Sequence, residues 1–323
     1  MSDEQTVRIG VIGRGFGARV VAPVFAETEG CAVADVVSPR DDVAVRALCA
    51  RDDVDVVAVH SPPFLHRDHV RYAVEAGHAV LCDKPFGRNA EDAVAMHDHA
   101  VAAGVLHLCN FEFRFHPARE QLRALVLDGA IGAVEHIQWS AFSSGSRQPL
   151  RRYGWLFDRD LGGGWVGAWG SHVVDFLRWT LGELPDATAE LRTTIRERPD
   201  ADGRMHHCTA EDGFTASLRS AGGVTVTIDT TFVAPVNVPS RVTVIGADGV
   251  LECVSDHRIT LRTDEGLREE LEVDHGRGDP HLLPMRRWAV AVRDTVRRGS
   301  VEPGTPTFAD GLACAVVMDR LRR

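Results

Sequence analysis

Short hydrophobic runs alternate with helix-compatible segments over the first third of the chain. Runs rich in valine, isoleucine and leucine predict buried strands at 7–13, 32–37, 54–63, 78–85 and 105–111. Segments with helical features separate these runs, at about 17–28, 41–50, 64–76 and 89–104. Because parallel strands need crossover segments, this alternation predicts an α/β fold with a doubly wound parallel sheet covered by helices on both faces.

After Pro117 the pattern changes to longer runs in which apolar residues alternate with threonine and charged residues. These runs lie at 134–142, 213–220, 223–233, 241–246 and 258–263. A period of two predicts half-buried strands, and 323 residues exceed the roughly 250–300 that one hydrophobic core supports. We therefore predict two domains, 1–117 and 118–323, with a C-terminal helix at about 307–323 as a candidate to pack back on the first domain.

Composition and charge exclude several classes of protein. With a formal net charge of −10 and no compensating basic run, the chain lacks the basic surface typical of nucleic-acid binding. No apolar run approaches the ~20 residues of a membrane span, and residues 1–6 are polar and acidic, unlike a signal peptide. The seven cysteines are scattered without a C-x-x-C pair, so we expect a reduced, cytoplasmic protein.

The first strand-to-helix turn contains GRGFGA, residues 13–18. Gly13 and Gly15 match the first two positions of the pattern G-x-G-x-x-G/A, and Ala18 matches the third. The first glycine permits a tight turn, the second admits a pyrophosphate, and the third lets helix and strand pack closely, while the helix N-terminus offers N–H groups to phosphates. This position predicts a Rossmann dinucleotide-binding domain; a glycine-rich turn without a ligand is the competing interpretation.

The end of the second predicted strand bears on which dinucleotide is bound. An NAD site usually has Asp or Glu at this tip to hold the ribose 2′-hydroxyl. Here Ser38 and Arg40 follow the strand, and we expect strand alternation to bury Asp35 or to point it elsewhere. Ser38 and Arg40 suit a 2′-phosphate, which favours NADP over NAD, unless Arg40 is only a solvated loop residue.

Four further stretches are similar to one known family: HSPPFLH (60–66), EAGHAVLCDKPFGRN (75–89), NFEFRFHP (110–117) and GGGWVGAWGSHVVD (162–175). Together they resemble the glucose–fructose oxidoreductase / inositol dehydrogenase (Gfo/Idh/MocA) family. The resemblance runs from Val7 to about Gly182 and continues more loosely toward the C terminus. It implies an N-terminal Rossmann domain and a C-terminal α/β domain with a large, open, mostly antiparallel sheet, through which we expect a homodimer or homotetramer.

The resemblance also implies which residues act on the substrate and the cofactor. It places Lys84 at the substrate hydroxyl, where it assists proton transfer, and His172 as the second acid/base group. Histidine suits this role because it titrates near pH ~6.5. A surface position for Lys84 and a buried structural role for His172 are the competing interpretations. The expected cofactor contacts are Gly13, Gly15, Phe16, Gly17, Ser38, Arg40, Ser61, Pro62, His66, Asp83 and Lys84.

Two positions depart from the family pattern. Asp83 stands in DKP where the family usually has E-K-P, which is a chemically conservative change. Ala168 stands where the family's polyol dehydrogenases carry an aspartate, and a methyl group neither accepts a proton nor binds a hydroxyl. The glycines at 162–164 are expected to let the backbone approach substrate and cofactor. Candidate substrate residues are Arg114, Tyr153, Trp165 and Asp175, although core packing suits Trp165 equally well and a structural role suits Asp175 better.

These expectations define a predicted function. The protein is an NAD(P)-dependent oxidoreductase that transfers a hydride between nicotinamide and a sugar, cyclitol or related polyol or ketone. Its expected partner is a small-molecule substrate, with neither a nucleic acid nor a membrane. The alternatives are a non-catalytic dinucleotide or sugar sensor, motivated by Ala168, and redox-neutral glycoside cleavage. No metal site is expected, because the histidines lack convergent ligand spacing and hydride transfer needs no metal.

Overall fold

The computed structural model describes residues 6–323. Its strands are β1 (Val7–Ile12), β2 (Cys31–Val37), β3 (Val56–Val59), β4 (Ala79–Asp83), β5 (His107–Asn110), β6 (Val134–Phe142), β7 (Asp186–Arg192), β8 (Glu197–Pro199), β9 (Met205–His207), β10 (Gly213–Arg219), β11 (Thr225–Thr231), β12 (Val238–Gly246), β13 (Val250–Val254), β14 (Arg258–Thr263) and β15 (Gly266–Glu272). Its α-helices are α1 (Ala22–Glu27), α2 (Asp42–Cys49), α3 (Pro63–Glu75), α4 (Ala90–Ala103), α5 (Pro117–Leu127), α6 (Ser171–Leu181), α7 (Leu282–Arg298) and α8 (Phe308–Leu321). The strands and helices predicted between residues 7 and 111 are all present.

The chain folds into two compact units, each assembled from separate stretches. The first contains 6–115 and Gly276–Val316, and the second contains His116–His275 and Val317–Arg323. These units differ from the predicted domains in that Gly276–Val316 belongs to the first unit. Residues 1–5, which include most of the polar first segment, lie outside the described residues.

The first unit is built on a five-stranded sheet with the order β2-β1-β3-β4-β5, in which every neighbouring pair is parallel. The predicted doubly wound parallel sheet is therefore confirmed. In such a sheet, ligands bind outside the carboxyl ends of the strands. The residues that directly follow these five strands are Gly13, Ser38, His60, Lys84 and Phe111.

Local sequence signals place the boundaries of the covering helices. The side chain of Asp41 accepts a hydrogen bond from the Ala44 N–H at 3.0 Å, and that of Asn89 accepts one from the Asp92 N–H at 2.9 Å. Gly104 ends α4 in the left-handed conformation, with φ of 65°. No helix among residues 6–323 is both long and apolar enough to cross a membrane.

Helix α7 accounts for the difference between the two units and the predicted domains. Its apolar face buries Met285, Trp288 and Val292 completely, in the core that contains Ile9 and Phe25. The Trp288 ring also stacks on Phe115 at a centroid distance of 4.9 Å. Because this helix completes the core beside β1, it belongs to the first unit despite its distance along the chain.

The second unit is built on an eight-stranded sheet with the order β15-β14-β13-β12-β6-β11-β10-β7. All neighbours are antiparallel except β6 and β11, which confirms the large, mostly antiparallel sheet. Helix α6 covers one face, where the Trp139 ring of β6 meets Phe176 edge-on at 5.5 Å. Strands β7, β13 and β15 were not predicted, and the polar segment 196–207 forms the β8–β9 hairpin.

Candidate active site

The glycine-rich turn after β1 is shaped by close contact with His60, the residue that follows β3. Gly13 donates its N–H to the Val37 carbonyl at 3.0 Å and has a φ of +156°. A Cβ on Gly13 would lie 2.5 Å from the His60 carbonyl oxygen. A Cβ on Gly17 would lie 3.0 Å from the His60 Cβ and 3.1 Å from a Val11 methyl group. Close helix–strand packing is therefore achieved by Gly17, and not by Ala18, which is only half-buried.

Gly15 lacks a side chain for a different reason. It is exposed, its φ is not in the left-handed region, and a Cβ built on it meets no atom within 4 Å. The protein's own packing thus leaves room for a larger residue at this position. Open space above a backbone turn at the start of a helical segment is what a pyrophosphate needs in order to approach. The residues present therefore fit a dinucleotide.

Phe16 lies beside this turn with its ring half-buried. Its centroid is 5.0 Å from that of His281 in an edge-on arrangement, and 6.0 Å from that of His60. A half-buried aromatic ring at the carboxyl edge of the sheet can offer its remaining surface to an apolar part of a ligand.

The residues after β2 present a cation rather than a carboxylate. Ser38 is half-buried and its Oγ lies 3.4 Å from the Arg40 N–H, while the Arg40 side chain is exposed and has no ion pair within residues 6–323. Asp35 is exposed, not buried, and lies 3.7 Å from Arg51. Asp41 caps α2. Of these charged groups, Arg40 is the one without a protein partner.

The loop between β3 and α3 is held by two buried histidines. The His66 Nε2 lies 2.7 Å from the Ser61 carbonyl oxygen, and the His69 Nδ1 lies 3.0 Å from the Ser61 Oγ. Burial lowers the pKa of His66, and burial followed by the proximity of His66 lowers the pKa of His69 to about 4. His66 has no exposed surface, so its geometry fits support of the Ser61–Pro62 loop rather than the predicted direct contact with a cofactor.

Asp83 organises the end of β4. One oxygen, Oδ1, accepts hydrogen bonds from the Lys84 N–H at 2.9 Å and from the buried Asn110 amide at 3.1 Å. The other, Oδ2, lies 3.2 Å from the His60 Nδ1. Burial alone would raise the pKa of Asp83, but His60, Lys84 and Asn110 together hold it well below its usual range. Because both oxygens have protein partners, Asp83 fits the role of fixing the backbone of Lys84 better than a direct cofactor contact.

Lys84 is the only lysine in the 323-residue sequence, and every other Lys/Arg position is arginine. It directly follows β4 at the carboxyl edge of the parallel sheet and is half-buried. Arginine keeps its proton under physiological conditions, whereas the amine of a lysine can exchange one. A chain that uses arginine everywhere else therefore has its one lysine amine at this position, a signal that the sequence analysis missed.

Three of the four predicted substrate residues, and His172, lie in the second unit. His172 and Asp175 are both buried on α6, at 4% and 3% exposure. A π-helical turn, Val166–Gly170, leads directly into this helix. Trp165 precedes the turn and donates its indole N–H to the Thr230 hydroxyl at 2.9 Å.

The glycines that precede this helix pack against protein atoms. A Cβ on Gly163 would lie 2.3 Å from the Trp155 carbonyl oxygen. A Cβ on Gly164, whose φ is +104°, would lie 2.1 Å from the Oε1 of Glu211. These glycines were expected to make room for substrate and cofactor. Instead, Gly163 packs against backbone carbonyl oxygens and Gly164 packs against the Glu211 carboxylate.

An aromatic cleft of about 580 Å³ lies at the start of the same helical segment. The parallel rings of Trp165 and Trp169 line it, with their centroids 5.9 Å apart, and Ser143 and Asn237 add polar groups. A cleft of this size with aromatic walls and a few polar groups suits a small, partly polar ligand. Trp165 also stacks on Phe232 at 4.3 Å, so it contributes to the core and to the cleft together.

The other two candidate substrate residues make contacts inside their own units. Arg114 is 6% exposed and donates to the Asp310 carboxylate at 2.7 Å and to the Gly304 carbonyl at 3.1 Å, which anchors the start of α8. Its expected substrate contact is thus replaced by a structural ion pair. Tyr153 donates to Asp158 at 3.1 Å and stacks on His206 at 4.6 Å, and burial together with Asp158 raises its pKa to about 12.

Sequence reasoning missed three residues that shape these sites: His60, Asn110 and Glu211. The signal for Asn110 was its place near the carboxyl end of the strand predicted at 105–111; it is the last residue of β5. His60, which directly follows β3, had the same kind of signal. Glu211 had none, because it acts on a segment far away in sequence. Within residues 6–323, no group of three or more His, Cys, Asp or Glu side chains is arranged to hold a metal ion.

Comparison with protein families covers most of the chain. A model described as "Oxidoreductase family, NAD-binding Rossmann fold" matches residues 7–111. A model described as "GFO/IDH/MocA C-terminal domain" matches residues 120–252.

Similar proteins include several sugar dehydrogenases. An uncharacterised oxidoreductase of Synechocystis is 31% identical over 80% of this chain and 74% of its own length. The D-xylose 1-dehydrogenase (NADP(+)) 2 of Haloferax volcanii is 31% identical over 70% of each chain. Among solved structures, a levoglucosan dehydrogenase in complex with NADH and L-sorbose has a TM-score of 0.85 at 21% identity, covering 98% of this chain and 96% of its own.

Proposed function

The chain belongs to the Gfo/Idh/MocA family of oxidoreductases with an NAD-binding Rossmann fold, and from this we propose that it is an NAD(P)-dependent sugar or polyol dehydrogenase. The reaction converts a secondary alcohol to a ketone, or the reverse. The hydroxyl carbon gives a hydride to the nicotinamide ring of the bound cofactor, and the hydroxyl gives its proton to the protein.

The observation that carries this proposal is the position of the only lysine. Lys84 directly follows β4 at the ligand-binding edge of the parallel sheet, with its backbone fixed by Asp83. In the direction of oxidation its amine takes the hydroxyl proton, and in reduction it returns one. The guanidinium groups found at the other basic positions cannot do this, since they remain protonated.

His172 is the second acid/base group in this proposal. It is one of four polar side chains buried on α6, one turn from Trp169, which lines the aromatic cleft. Histidine suits the role because its side chain can accept and release a proton near neutral pH.

We propose NADP as the preferred cofactor. This preference is supported by Arg40, which has no protein partner, and by the Ser38 hydroxyl beside it; together they suit a 2′-phosphate. The relatives include one named for NADP(+) and one solved with NADH, so the preference rests on this chain's own residues.

The proposed substrate is a sugar, cyclitol or related polyol, bound by the aromatic cleft of Trp165 and Trp169. Flat aromatic rings cover the apolar face of a sugar, while hydroxyl and amide groups such as those of Ser143 and Asn237 bind its polar edge. The similar proteins named for levoglucosan, L-sorbose and D-xylose support this substrate class.

We further propose that the protein is a homo-oligomer that associates through the outer face of the eight-stranded sheet. This face is exposed along β7, β10 and β11 and carries alternating threonine and charged residues, such as Glu190, Thr215 and Asp229. Light scattering at known protein concentration measures the assembly.

A second candidate function is a sensor that binds dinucleotide and sugar without turnover. Ala168 favours it, because four residues before His172 stands a methyl group, which neither accepts a proton nor binds a hydroxyl. The sensor would bind both ligands but leave the ratio of oxidised to reduced cofactor unchanged on long incubation.

The first experiment titrates the purified protein with NADPH and NADH, following nicotinamide fluorescence. The proposal expects tighter NADPH binding, and then turnover in a screen of sugars and polyols with NADP.

A second experiment uses NMR. Because Lys84 is the only lysine, ¹³C-dimethylation adds one ε-amine NMR signal beside that of the N-terminus. A change in the chemical shift of this signal on NADPH addition supports a cofactor site next to Lys84. An unchanged chemical shift with saturating cofactor contradicts it.

A further inference from the structure

We propose that Glu211 is a positioning residue for His172: its carboxylate fixes the start of the helical segment on which His172 is mounted. This inference rests on the proposed role of His172. Glu211 lies between the β8–β9 hairpin and β10, 39 residues after His172 in the sequence. It contacts the start of the segment, and His172 lies further along it.

The contacts of Glu211 are made with the first residues of that segment. Its backbone carbonyl accepts a hydrogen bond from the Trp165 N–H at 2.9 Å, and its Oε1 accepts one from the Val166 N–H at 3.0 Å. The first N–H groups of a helix have no partner within the helix, and here no side chain of the segment itself caps its start. Glu211 thus replaces a local cap with one supplied by a distant strand connection.

A local cap and a distant cap differ in what they fix. A serine or asparagine at the first turn stabilises the helix but leaves it free to shift as a body. Glu211 instead ties the first turn to the sheet, and the bond between the Trp165 indole and Thr230 of β11 adds a second tie to the same sheet. The start of the segment is therefore fixed in position as well as in conformation.

Gly164 makes the close approach of the Glu211 carboxylate possible. Its missing side chain leaves the space that the Glu211 carboxylate occupies, since a Cβ there would lie 2.1 Å from Oε1. Its φ of +104° also turns the backbone so that the next two N–H groups face Glu211. The bare backbone before the helix is thus explained by a protein carboxylate that must come close.

Burial of the Glu211 carboxylate costs free energy of folding. Glu211 is 2% exposed, and its Oε2 has no accessible surface and no hydrogen-bond partner within residues 6–323. Arg322 lies nearby, with its Nε 4.0 Å from Oε1, and donates its Nη2 to the Gly163 carbonyl at 3.2 Å. Burying a charge with one oxygen unsatisfied opposes folding, whereas a neutral local cap would not. A negative charge does, however, stabilise the positive end of a helix.

The consequence for catalysis follows from helix geometry. His172 lies six residues beyond Val166, roughly 9 Å along the axis at ~1.5 Å per residue. A movement of the first turn is passed along a rigid helix to the imidazole, and displacement of a reacting group by ~1 Å can cost about 100-fold in rate. Loss of Glu211 should therefore lower kcat while leaving cofactor affinity unchanged.

The test compares Glu211→Ala, Glu211→Gln and a matched control. Asp212 is the neighbouring residue, equally buried, but its two oxygens accept the Thr194 and Ile195 N–H groups and hold the other side of the connection. Asp212→Asn controls for the general cost of removing a buried carboxylate here. We expect E211A to lower kcat by about 10- to 100-fold with little change in KM or NADPH affinity. We expect E211Q, which keeps an acceptor oxygen, to recover most of this loss, and D212N to leave kcat unchanged at equal loss of thermal stability.

A second readout does not depend on turnover. The ring ¹³C–¹H signal of His172, assigned with His172→Gln, reports the surroundings of the imidazole directly. We expect E211A and E211Q to move this signal in proportion to their effect on kcat, and D212N to leave it in place. An unmoved His172 signal in folded E211A overturns the proposal, as does an E211Q signal that moves as far as that of E211A while kcat recovers. A signal that moves while kcat stays constant leaves Glu211 as a positioning residue but refutes the role of His172, so the two failures are distinguishable.

Discussion

The Nδ1 of His60 lies 3.2 Å from the carboxylate of Asp83, the residue directly before Lys84. The same histidine lies against Gly13 and Gly17, where its atoms leave no space for a side chain. One buried residue thus joins the glycine-rich turn after β1 to the end of β4. The turn that would receive the pyrophosphate and the lysine that would receive the proton are therefore held in one rigid group.

The first prediction concerns the proton carried by Lys84. Lys84→Arg keeps the positive charge but cannot exchange a proton, so we expect kcat to fall by about 100-fold or more, and we expect the same fall for Lys84→Met. NADPH affinity should change by less than about 3-fold in both, because the backbone and Asp83 remain in place. Steady-state kinetics and fluorescence titration measure the two effects. An arginine variant that retained most of its activity would show that Lys84 supplies only charge.

The second prediction separates the two kinds of glycine in the turn. Gly15→Ala should leave thermal stability within about 1 °C of the parent, because a Cβ there meets no protein atom, yet it should weaken NADPH binding by about 10-fold or more. Gly13→Ala should lower stability as well, since its Cβ would lie 2.5 Å from the His60 carbonyl oxygen at a φ of +156°. Calorimetry and titration of both variants test this. Unchanged binding by G15A would mean that no cofactor approaches this turn.

The third prediction concerns cofactor choice. Removing the guanidinium in Arg40→Ala should weaken NADPH binding by about 10- to 100-fold, the value of one or two charge-assisted hydrogen bonds, and leave NADH binding nearly unchanged. Ser38→Ala should act in the same direction with a smaller effect. Arg51→Ala is the control, because Arg51 pairs with Asp35 and Asp53 on the same unit. Equal losses for NADH and NADPH in R40A would contradict a 2′-phosphate contact.

The parallel sheet and the lysine at its edge were predictable because their determinants are local. Periodicity and turn residues place β1–β5 and their helices, and a strand end followed by Lys84 is visible in the sequence. The place of α7 in the first unit was not predicted, because its core partners Ile9 and Phe25 lie near the other end of the chain. The role of the glycines before His172 was interpreted wrongly for the same reason, since Gly164 faces Glu211, a residue that no local pattern connects to it.

The final prediction concerns the buried histidines beneath the Ser61 loop. Burial lowers the pKa of His69 to about 4, whereas an unfolded chain has a histidine pKa near ~6.5. Between these values the unfolded state binds the proton more tightly, so stability is lost as the pH falls through this window. His66, whose pKa burial also lowers, adds to the loss in the same direction.

For His69 alone we expect about 1 kcal/mol less free energy of unfolding at pH 5.5 than at pH 7. The change from pH 7 to pH 5.5 should therefore be smaller by about that amount in His69→Gln, while the exposed control His275→Gln should follow the parent protein. Urea unfolding at both pH values provides the measurement. If H69Q and the parent lost equal stability, the pKa of His69 would be the same in the folded and unfolded states, and the Ser61 loop would be held by a charged imidazole at pH 5.5.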